Sequence, residues 1–263
     1  MSIDRSDPTQ RFSERVADYV RHRPGYPQAI LDMLRQTIGF DPATVIADIG
    51  SGTGNLAELF LRVGNRVYAV EPNADMREAG ERRLASYQGF ASVAGTAEAT
   101  TLPADSIDLV TAGQSFHWFD KQAARQEFSR ILRPDGWVML VWNDWKRADG
   151  PLNEAYADLV QRYSVDYGGV RGKYQAWPEI VARFYGGAFD EYHFDNEQVL
   201  DFLGLRGRLF SSSTAPRPEH PNYAPLMAEL REVFDRLAQE GEVRLRYDCR
   251  LYLGQLSRSA DAA

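Results

Sequence analysis

The chain has 263 residues, of which 44% are hydrophobic, 12% aromatic and 25% charged, and this composition excludes disordered and fibrous proteins. Its net charge of −7, from 30 basic and 37 acidic residues, argues against a nucleic acid as the main partner, because phosphates attract clustered positive charge. The longest uninterrupted apolar run, Trp137 to Trp142, is much shorter than the about 20 residues that a membrane helix needs, so we expect no membrane span.

Cysteine content and the first residues bear on location. One cysteine, Cys249, excludes an intrachain disulfide and a cysteine metal cluster. The opening MSIDRSDPTQRFSERV lacks the basic and then apolar order of a signal peptide. We therefore expect a cytoplasmic protein. The four histidines lack the spacing of metal ligands, and no metal is expected.

Two short helices are predicted before the first strand. Apolar residues follow helical spacing over 12–20 and again over 30–38. Pro24 and Pro27 lie between these stretches and prevent one continuous helix. We assign residues 1–40 to an N-terminal helical segment.

Strands and helices alternate through the middle of the chain. The predicted strands cover 44–50, 66–71, 90–95, 107–113 and 137–142, and the predicted helices cover 55–63, 74–86 and about 124–132. This alternation predicts an α/β fold with parallel βαβ units in a doubly wound sheet. The strands are mostly apolar on both faces, as a sheet covered by helices on both sides requires.

The pattern becomes less regular after Asn143. Helices are predicted at 152–163, about 199–205 and 226–237, and strands at 188–195 and 243–253. The last strand alternates apolar and polar residues, which predicts a half-buried antiparallel strand with Cys249 packed on its apolar face. We interpret the whole chain, 1–263, as a single domain with insertions at 144–187 and 197–240 and a disordered tail at 257–263.

A glycine-rich loop follows the first predicted strand. It reads Asp48-Ile-Gly50-Ser-Gly52-Thr-Gly54. Glycines let a ligand approach the backbone closely, and the helix that follows offers free N–H groups. Glu71 ends the next strand, where a carboxylate can accept both hydroxyls of a ribose.

The spacing of the loop discriminates among nucleotide-like ligands. A dinucleotide loop would have its third glycine at the position of Asn55, and a phosphate loop would continue with Gly-Lys-Ser/Thr. Asp48 would repel a phosphate but attract an ammonium group. A ligand with a ribose, no phosphate and an amino-acid tail fits best.

These residues resemble the first motif of class I S-adenosylmethionine-dependent methyltransferases, in which an acid precedes spaced glycines and a second acid ends the next strand. The stretch GTAEATTLPADSIDLV resembles a further motif of that superfamily. The resemblance implies a Rossmann-like sheet of seven mostly parallel strands, with an antiparallel last strand and helical lid insertions. It also implies S-adenosylmethionine as the methyl donor and a small-molecule acceptor.

The resemblance further implies roles for individual residues. Asp48 would orient the methionyl amino group, and Glu71 would hold the ribose hydroxyls. Gly50 and Gly52 would line the methionine and the ribose. The residues implied to bind the donor are Tyr19, Arg23, Asp48, Gly50, Gly52, Gly54, Glu71, Asn73, Met76, Thr96, Ala97, Glu98 and Gln114.

The adenine contacts differ from those of many relatives. Asn73 and Met76 would flank the adenine. Many relatives have an Asp at the position of Thr96, which contacts the adenine amine. In this chain that contact would pass to Thr96, Ala97 or Glu98.

Two further stretches are similar to type 11 methyltransferases, the branch that includes trans-aconitate methyltransferase-like proteins. One comprises Phe12, Tyr19 and the Arg-Pro-x-Tyr-Pro run at 23–27, and the other is GQSFHWFD at 113–120. Relatives use the N-terminal segment as a flap over the donor, which implies Tyr19 and Arg23 near its methionyl end. The alternative for Tyr19 is a place in the core of the first helix.

The residues that would bind the acceptor follow from position and chemistry. His117 comes just after the fourth strand and is either a general base or part of a packing wall with Trp118. An acceptor carboxylate would need no base, and arginine matches a carboxylate with its planar fork. The candidate acceptor residues are Trp118, Trp142, Arg171, Arg206 and Arg208.

Two other functions stay open at this point. A nicotinamide-dependent oxidoreductase would use the same sheet, although Asn55 replaces the third glycine that its loop requires. A non-catalytic cofactor-binding module would keep the fold and the donor site without turnover.

Overall fold

The computed structural model describes residues 22–165, 177–212 and 214–257, with Trp177 described by its backbone alone. The predicted helix at 12–20 with Tyr19, the candidate acceptor residue Arg171, and most of the predicted disordered tail lie outside these residues. No helix in the described part is long and apolar enough to cross a membrane.

A seven-stranded sheet in the described part has the strand order β3-β2-β1-β4-β5-β7-β6. The strands are β1 Val45–Ile49, β2 Arg66–Val70, β3 Phe90–Val93, β4 Ile107–Gly113, β5 Leu132–Trp145, β6 Phe189–Leu200 and β7 Val243–Gly254. Strands β1 to β5 pair in parallel, whereas β7 pairs antiparallel with both β5 and β6. The predicted Rossmann-like, mostly parallel sheet is confirmed.

Helices connect these strands. The described helices are α1 Ala29–Ile38, α2 Asn55–Leu61, α3 Ala74–Leu84, α4 Lys121–Ile131, α5 Pro151–Tyr163, α6 Trp177–Tyr185, α7 Phe202–Phe210 and α8 Tyr223–Leu237. The helix predicted at 199–205 begins later, because β6 continues to Leu200, which pairs with Val243. Asp201 then caps α7 by accepting the Gly204 N–H at 2.7 Å.

Buried apolar side chains cover both faces of the sheet. On one face Phe128 of α4 and Phe184 of α6 meet edge to face, with ring centroids 5.9 Å apart. On the other face α1 and α2 pack with Phe40 and Phe60, whose centroids are 5.8 Å apart. Each such side chain contributes about 1.5–3 kcal/mol by its burial, so the sheet is a rigid platform for the loops at its ends.

Strand β7 lies inside the sheet, between β5 and β6. Alternate residues are buried from Val243 to Arg250, as the sequence pattern predicts, whereas Leu251 to Gly254 are all buried because apolar side chains cover both faces of the sheet there. Cys249 is fully buried there, and burial raises the pKa of its thiol to about 12. The thiol is therefore a packed apolar group at neutral pH.

Three helices from the segments predicted as insertions form a third apolar cluster, whereas α6, from the same segments, packs against the sheet through Phe184. Helices α5, α7 and α8 pack together through Tyr156, Leu205 and Leu230, and the ends of β6 and β7 add Leu200 and Tyr247. This cluster stands beside the central sheet.

The order of the strands creates a crevice between β1 and β4. The helix that follows β1, α2, packs on one face of the sheet, and the helix that follows β4, α4, packs on the other. At such a switch point the loops at the carboxyl ends of the strands diverge and leave a ligand site. The glycine loop lies at this point.

Candidate active site

The glycine loop turns sharply between β1 and α2. Gly50, Gly52 and Gly54 have positive φ angles of 65°, 57° and 84°. A Cβ at Gly50 would lie 2.6 Å from the Cβ of Ser115, and a Cβ at Gly54 would lie 2.4 Å from a methyl carbon of Leu84. Backbone conformation and lack of space both require glycine at these two positions.

Glu71 lies directly after β2 and faces this loop. Its Oε2 accepts the Gly52 N–H at 2.8 Å, and its Oε1 accepts the Asn73 N–H at 2.9 Å. The side chain is buried, and burial raises its pKa, although both N–H groups favour the charged form. Each carboxylate oxygen keeps a further lone pair, so the group can accept two ribose hydroxyls.

Asp48 lies near the end of β1, beneath the loop, and is buried. Its Oδ1 accepts the Thr111 hydroxyl at 3.0 Å, while its Oδ2 has no hydrogen-bond partner among the described residues. Burial raises the pKa of Asp48 to about 7, an effect that the Thr111 hydroxyl and the Ala57 backbone N–H oppose. A cation against Oδ2 would favour the charged form, and an ammonium group is such a cation.

A cavity opens above the loop at the ends of β1, β2 and β4. It has a volume of about 840 Å³ including the space at its mouth, which is in the range of small-molecule sites. We call it the main cavity. Its lining residues are Gly50, Gly52, Glu71, Pro72, Asn73, Met76, Thr96, Ala97, Glu98, Gly113, Gln114, Ser115, Trp118 and Phe119. Most of the residues predicted to bind the donor are in this set.

A smaller cavity adjoins the main one, and we call it the side cavity. Its lining residues are Arg23, Pro24, Tyr26, Asp48, Gly50, Ser51, Asn55, Leu56, Gly113, Gln114 and Asn143. Gly50, Gly113 and Gln114 border both cavities. The side cavity therefore brings together the acid and the guanidinium group that the sequence predicted at the methionyl end of the donor, Asp48 and Arg23.

The loop after β3 carries the three predicted adenine contacts. Thr96, Ala97 and Glu98 all line the main cavity, with Ala97 buried. Glu98 also accepts the Asp120 N–H at 2.8 Å, which joins this loop to the start of α4. The geometry brings the three residues to one wall, and their individual roles stay predictions.

Glu127 of α4 holds the end of the same loop. It accepts the Thr100 N–H at 2.8 Å and two hydrogen bonds from Arg130, each 2.7 Å. The hydrogen bonds from Arg130 and Thr100 lower the pKa of Glu127 to about 2. The loop is thus fixed by a charged group that lies outside the cavity lining.

His117 and Trp118 lie on a short turn of 3-10 helix that follows β4. Trp118 lines the main cavity. The His117 ring is half-buried with its centroid 4.8 Å from that of Trp118, and it is not among the described lining residues of either cavity. This placement fits a packing role better than that of a base.

Three candidate acceptor residues are not among the described lining residues of either cavity. Trp142 is buried in the core, edge-on to Phe116 with centroids 6.2 Å apart. Arg206 is exposed on α7. Arg208 is buried on the same helix, where its Nε donates to the Tyr247 hydroxyl at 3.0 Å. Arg208 therefore stabilises the third apolar cluster.

Sequence reasoning missed several lining residues at the ends of β4 and β5. The Ser115 hydroxyl donates to the carbonyl of Ile49 at 2.8 Å and fixes the wall opposite Gly50. Asn143 lines the side cavity, and its carbonyl accepts the Gln114 side-chain amide at 3.1 Å. The signal available was their position, since residues just beyond neighbouring parallel strands share one edge of the sheet.

Comparison with known proteins identifies the domain. Residues 47–140 match the family described as "Methyltransferase domain". This range contains the glycine loop, Glu71 and the loop after β3. Fold, site and match together make this part of the chain, residues 47–140, a class I S-adenosylmethionine-dependent methyltransferase domain. The predicted trans-aconitate methyltransferase-like branch stays a prediction.

Sequence relatives carry the same designation. An uncharacterized methyltransferase of Mycobacterium tuberculosis is 37% identical over 143 residues, which are 54% of this chain and 56% of that protein. An uncharacterized methyltransferase of Schizosaccharomyces pombe is 31% identical over 170 residues, 58% of this chain and 66% of that protein. The chain thus matches little more than half the length of the mycobacterial relative.

Solved structures share the fold. A candidate type II methyltransferase from Anaeromyxobacter dehalogenans aligns with a TM-score of 0.65 at 22% identity and covers 89% of this chain and 98% of its own. A candidate methyltransferase from an antibiotic biosynthesis pathway of Anabaena variabilis aligns with a TM-score of 0.57 at 20% identity. The alignment covers 90% of this chain and 100% of that protein. These likenesses confirm the architecture from β1 to β7.

S-adenosylmethionine is the cofactor of this class of domain, and the residues present fit it. The buried Oδ2 of Asp48 without a partner among the described residues suits an ammonium group. Glu71 suits a ribose diol. Gly50 and Gly54 let the loop pass close to Ser115 and Leu84, where a Cβ would collide. The predicted cofactor is therefore supported by the chemistry of the site.

Proposed function

We propose that the protein transfers the methyl group of S-adenosylmethionine to a small organic acceptor, and that the acceptor atom is a carboxylate oxygen. The observation that carries the donor half is the pair of buried acids on either side of the glycine loop, Asp48 and Glu71. One acid suits a cation and the other suits a diol, and S-adenosylmethionine presents both groups.

The two cavities divide the donor between them. Glu71, Met76 and Ala97 line the main cavity, where they would hold the nucleoside. Asp48 and Arg23 line the side cavity, where they would bind the amino and carboxylate groups of the methionyl tail. Charge complementarity thus orients the donor along the edge of the sheet.

When bound, S-adenosylmethionine supplies an electrophilic methyl group on a positively charged sulfur. The protein must then align the acceptor oxygen with that carbon and exclude water. Trp118 and Phe119 provide an apolar wall in the main cavity, and Phe119 is braced edge-on by Phe116 with centroids 6.0 Å apart. Such a wall removes water from an anionic oxygen and leaves it more nucleophilic.

The titratable groups of the two cavities support an acceptor that is already ionised. Among the described lining residues, the charged side chains are Arg23, Asp48, Glu71 and Glu98, and neither a histidine nor a lysine lines either cavity. A hydroxyl or amine acceptor gives up a proton during methyl transfer, whereas a carboxylate at neutral pH does not. A carboxylate therefore fits without a general base.

The remaining parts of the chain would complete the acceptor site. We assign helices α5, α7 and α8, from the segments 144–187 and 197–240, to a lid that belongs to the same domain. A hydrogen bond from Arg23 to the Ser211 carbonyl at 3.0 Å supports this, because it joins the side cavity to the end of α7. The net charge of −7 and the buried single cysteine favour a small-molecule acceptor and a cytoplasmic location.

A transfer assay tests both halves of the proposal. The protein is incubated with S-adenosylmethionine labelled on its methyl group and with panels of small carboxylic acids, phenols and amines. Alkaline hydrolysis releases labelled methanol from a methyl ester but not from an ether or an amine. We expect base-labile label with a carboxylic acid, and none with Glu71→Ala.

Other outcomes correct the proposal in different ways. Stable label in a phenol or an amine would overturn the carboxylate half. Donor binding without transfer to any panel member would favour the non-catalytic cofactor-binding module.

A further inference from the structure

Tyr26 belongs to the Arg-Pro-x-Tyr-Pro run, and the donor site described above gives it no role. Its ring is half-buried and lines the side cavity together with Asp48 and Arg23. Gly113, at the end of β4, borders both cavities. A Cβ at Gly113 would lie 2.5 Å from the Tyr26 hydroxyl oxygen and 3.1 Å from the ring carbon that bears it. The phenol therefore lies directly over the junction of the two cavities.

The conformation of Gly113 does not explain why a glycine is present there. Gly113 is part of β4, and its φ lies outside the positive region that favours glycine. An L-residue could adopt the same backbone. The obstacle is the space that Tyr26 occupies, with a methyl group of Leu56 as the next contact at 3.0 Å. Glycine at 113 thus follows from the position of the phenol.

Several hydrogen bonds hold the segment 22–26 in place. The Gly25 carbonyl accepts the side-chain amides of Asn143 at 3.2 Å and Asn196 at 2.9 Å. Asn196 also donates to the Asn143 side-chain oxygen at 2.9 Å, so β5 and β6 act together on this carbonyl. The Gln198 amide donates to the His22 carbonyl at 3.0 Å. The phenol is therefore positioned by the sheet on the side of β5, β7 and β6.

We propose that Tyr26 is a donor-positioning residue that contacts the methionyl tail of S-adenosylmethionine, held over Gly113 by the Asn143–Asn196 clamp. This proposal rests on the proposed function, because it assigns the amino-acid tail to the side cavity. The phenol lies on the same cavity wall as the guanidinium group of Arg23 and the carboxylate of Asp48. A contact between the phenol of Tyr26 and the amino-acid tail would favour ligands that carry this tail over nucleosides that lack it.

Binding of two nucleosides tests this assignment. S-adenosylhomocysteine carries the amino-acid tail, and 5′-methylthioadenosine lacks it. Loss of a hydrogen bond to a charged group corresponds to about a tenfold loss of affinity. Tyr26→Ala should therefore lower the affinity for S-adenosylhomocysteine about tenfold, as measured by calorimetry. The affinity for 5′-methylthioadenosine should stay within about twofold of wild type. Tyr223→Ala is the matched control, because this half-buried tyrosine of α8 lies outside the lining of both cavities.

A second pair of variants tests the contact with Gly113. In the wild-type background, Gly113→Ala should weaken the binding of S-adenosylhomocysteine, because the added methyl group displaces the phenol of Tyr26. The same change should have little further effect in Tyr26→Ala, because residues that act through one contact are not additive. Additive losses would show that Gly113 acts independently of Tyr26 and would contradict the contact between them.

The outcomes separate this proposal from the proposed function. If the wild-type protein binds S-adenosylhomocysteine and Tyr26→Ala binds it equally well, the role of Tyr26 is wrong and the methyltransferase function stands. If Tyr26→Ala weakens the binding of both nucleosides equally, the role of Tyr26 is structural and the proposal is also wrong. If the wild type binds 5′-methylthioadenosine but not S-adenosylhomocysteine, the proposed function fails first.

Discussion

The Gly52 N–H donates to Glu71 Oε2 at 2.8 Å and joins the glycine loop after β1 to the acid that ends β2. One carboxylate thus shapes the loop and faces the cavity that the loop borders. The loop and the acid form one unit, and loss of the acid should affect the shape of the loop as well as the proposed ribose contact.

Glu71→Ala should weaken the binding of S-adenosylhomocysteine by about 100-fold or more, since hydrogen bonds to a charged group are each worth about 1.5–3 kcal/mol. Isothermal titration calorimetry measures this change. Glu78→Ala is a suitable control, because this exposed acid of α3 makes only a loose ion pair with Arg82 at 3.7 Å. Equal weakening by both variants would contradict a specific role for Glu71.

Donor binding should become stronger as the pH rises from 6 to 8. The free protein holds Asp48 with a pKa of about 7, and the ammonium group of the donor requires the charged form. The charged fraction rises from about one tenth to about nine tenths over this range, so affinity should rise about tenfold. Asp48→Asn should bind weakly with a flat pH profile. A sloped profile in that variant would assign the titration to another group.

Asp48→Asn should also stabilise the ligand-free protein above neutral pH. The folded pKa of about 7 exceeds the ordinary value of 3.8 for this side chain, so the folded state binds the proton more tightly. Stability therefore falls as the pH rises from about 4 through 7, and the neutral amide avoids this loss. Thermal unfolding at pH 5 and pH 8 should show the gain in Tm mainly at pH 8. A lower Tm at pH 8 would contradict the account.

His117→Ala should leave the rate of methyl transfer nearly unchanged if the acceptor is a carboxylate. General base catalysis contributes about 100-fold or more, and the placement of His117 beside rather than in the main cavity predicts that this contribution is absent. The measurement is kcat with saturating donor for wild type and variant. A loss of that size would restore His117 as the base and favour a hydroxyl or amine acceptor.

Glu127→Gln should destabilise the protein at neutral pH, and this loss should shrink as the pH falls. The folded pKa of Glu127 is about 2, below the ordinary value of 4.5, so its stabilisation is present above pH 4.5 and is lost as the pH falls toward 2. The variant lacks this contribution at neutral pH, and its unfolding free energy should approach that of wild type near pH 2. Denaturant titrations at pH 7 and pH 3 measure the difference, and an equal difference at both would contradict this origin.

Local sequence accounts for the meeting of the four residues that we assign to the donor. Asp48, Gly50, Gly52 and Glu71 lie at the ends of two strands that are adjacent in the chain, and their spacing alone brings them together. The same holds for the core strands, whose apolar pattern is strong. These are short-range consequences of one βαβ unit.

Tyr26, Asn143 and Asn196 could not be assigned in this way. Their meeting depends on β7 entering between β5 and β6, a pairing between segments far apart in the chain. β6 also carries many charged residues, so its apolar pattern is weak and its extension to Leu200 follows only from its register with β7. Long-range pairing, rather than local propensity, determines this side of the site.

Native mass spectrometry with competing ligands tests whether the glycine loop and Glu71 bind S-adenosylmethionine. The wild-type protein is mixed with S-adenosylhomocysteine and NAD at equal concentration. The Glu71→Ala variant is treated in the same way. We expect one S-adenosylhomocysteine per wild-type chain, no NAD adduct, and loss of the S-adenosylhomocysteine adduct in the variant. An NAD adduct, or no S-adenosylhomocysteine on the wild type, would contradict this expectation.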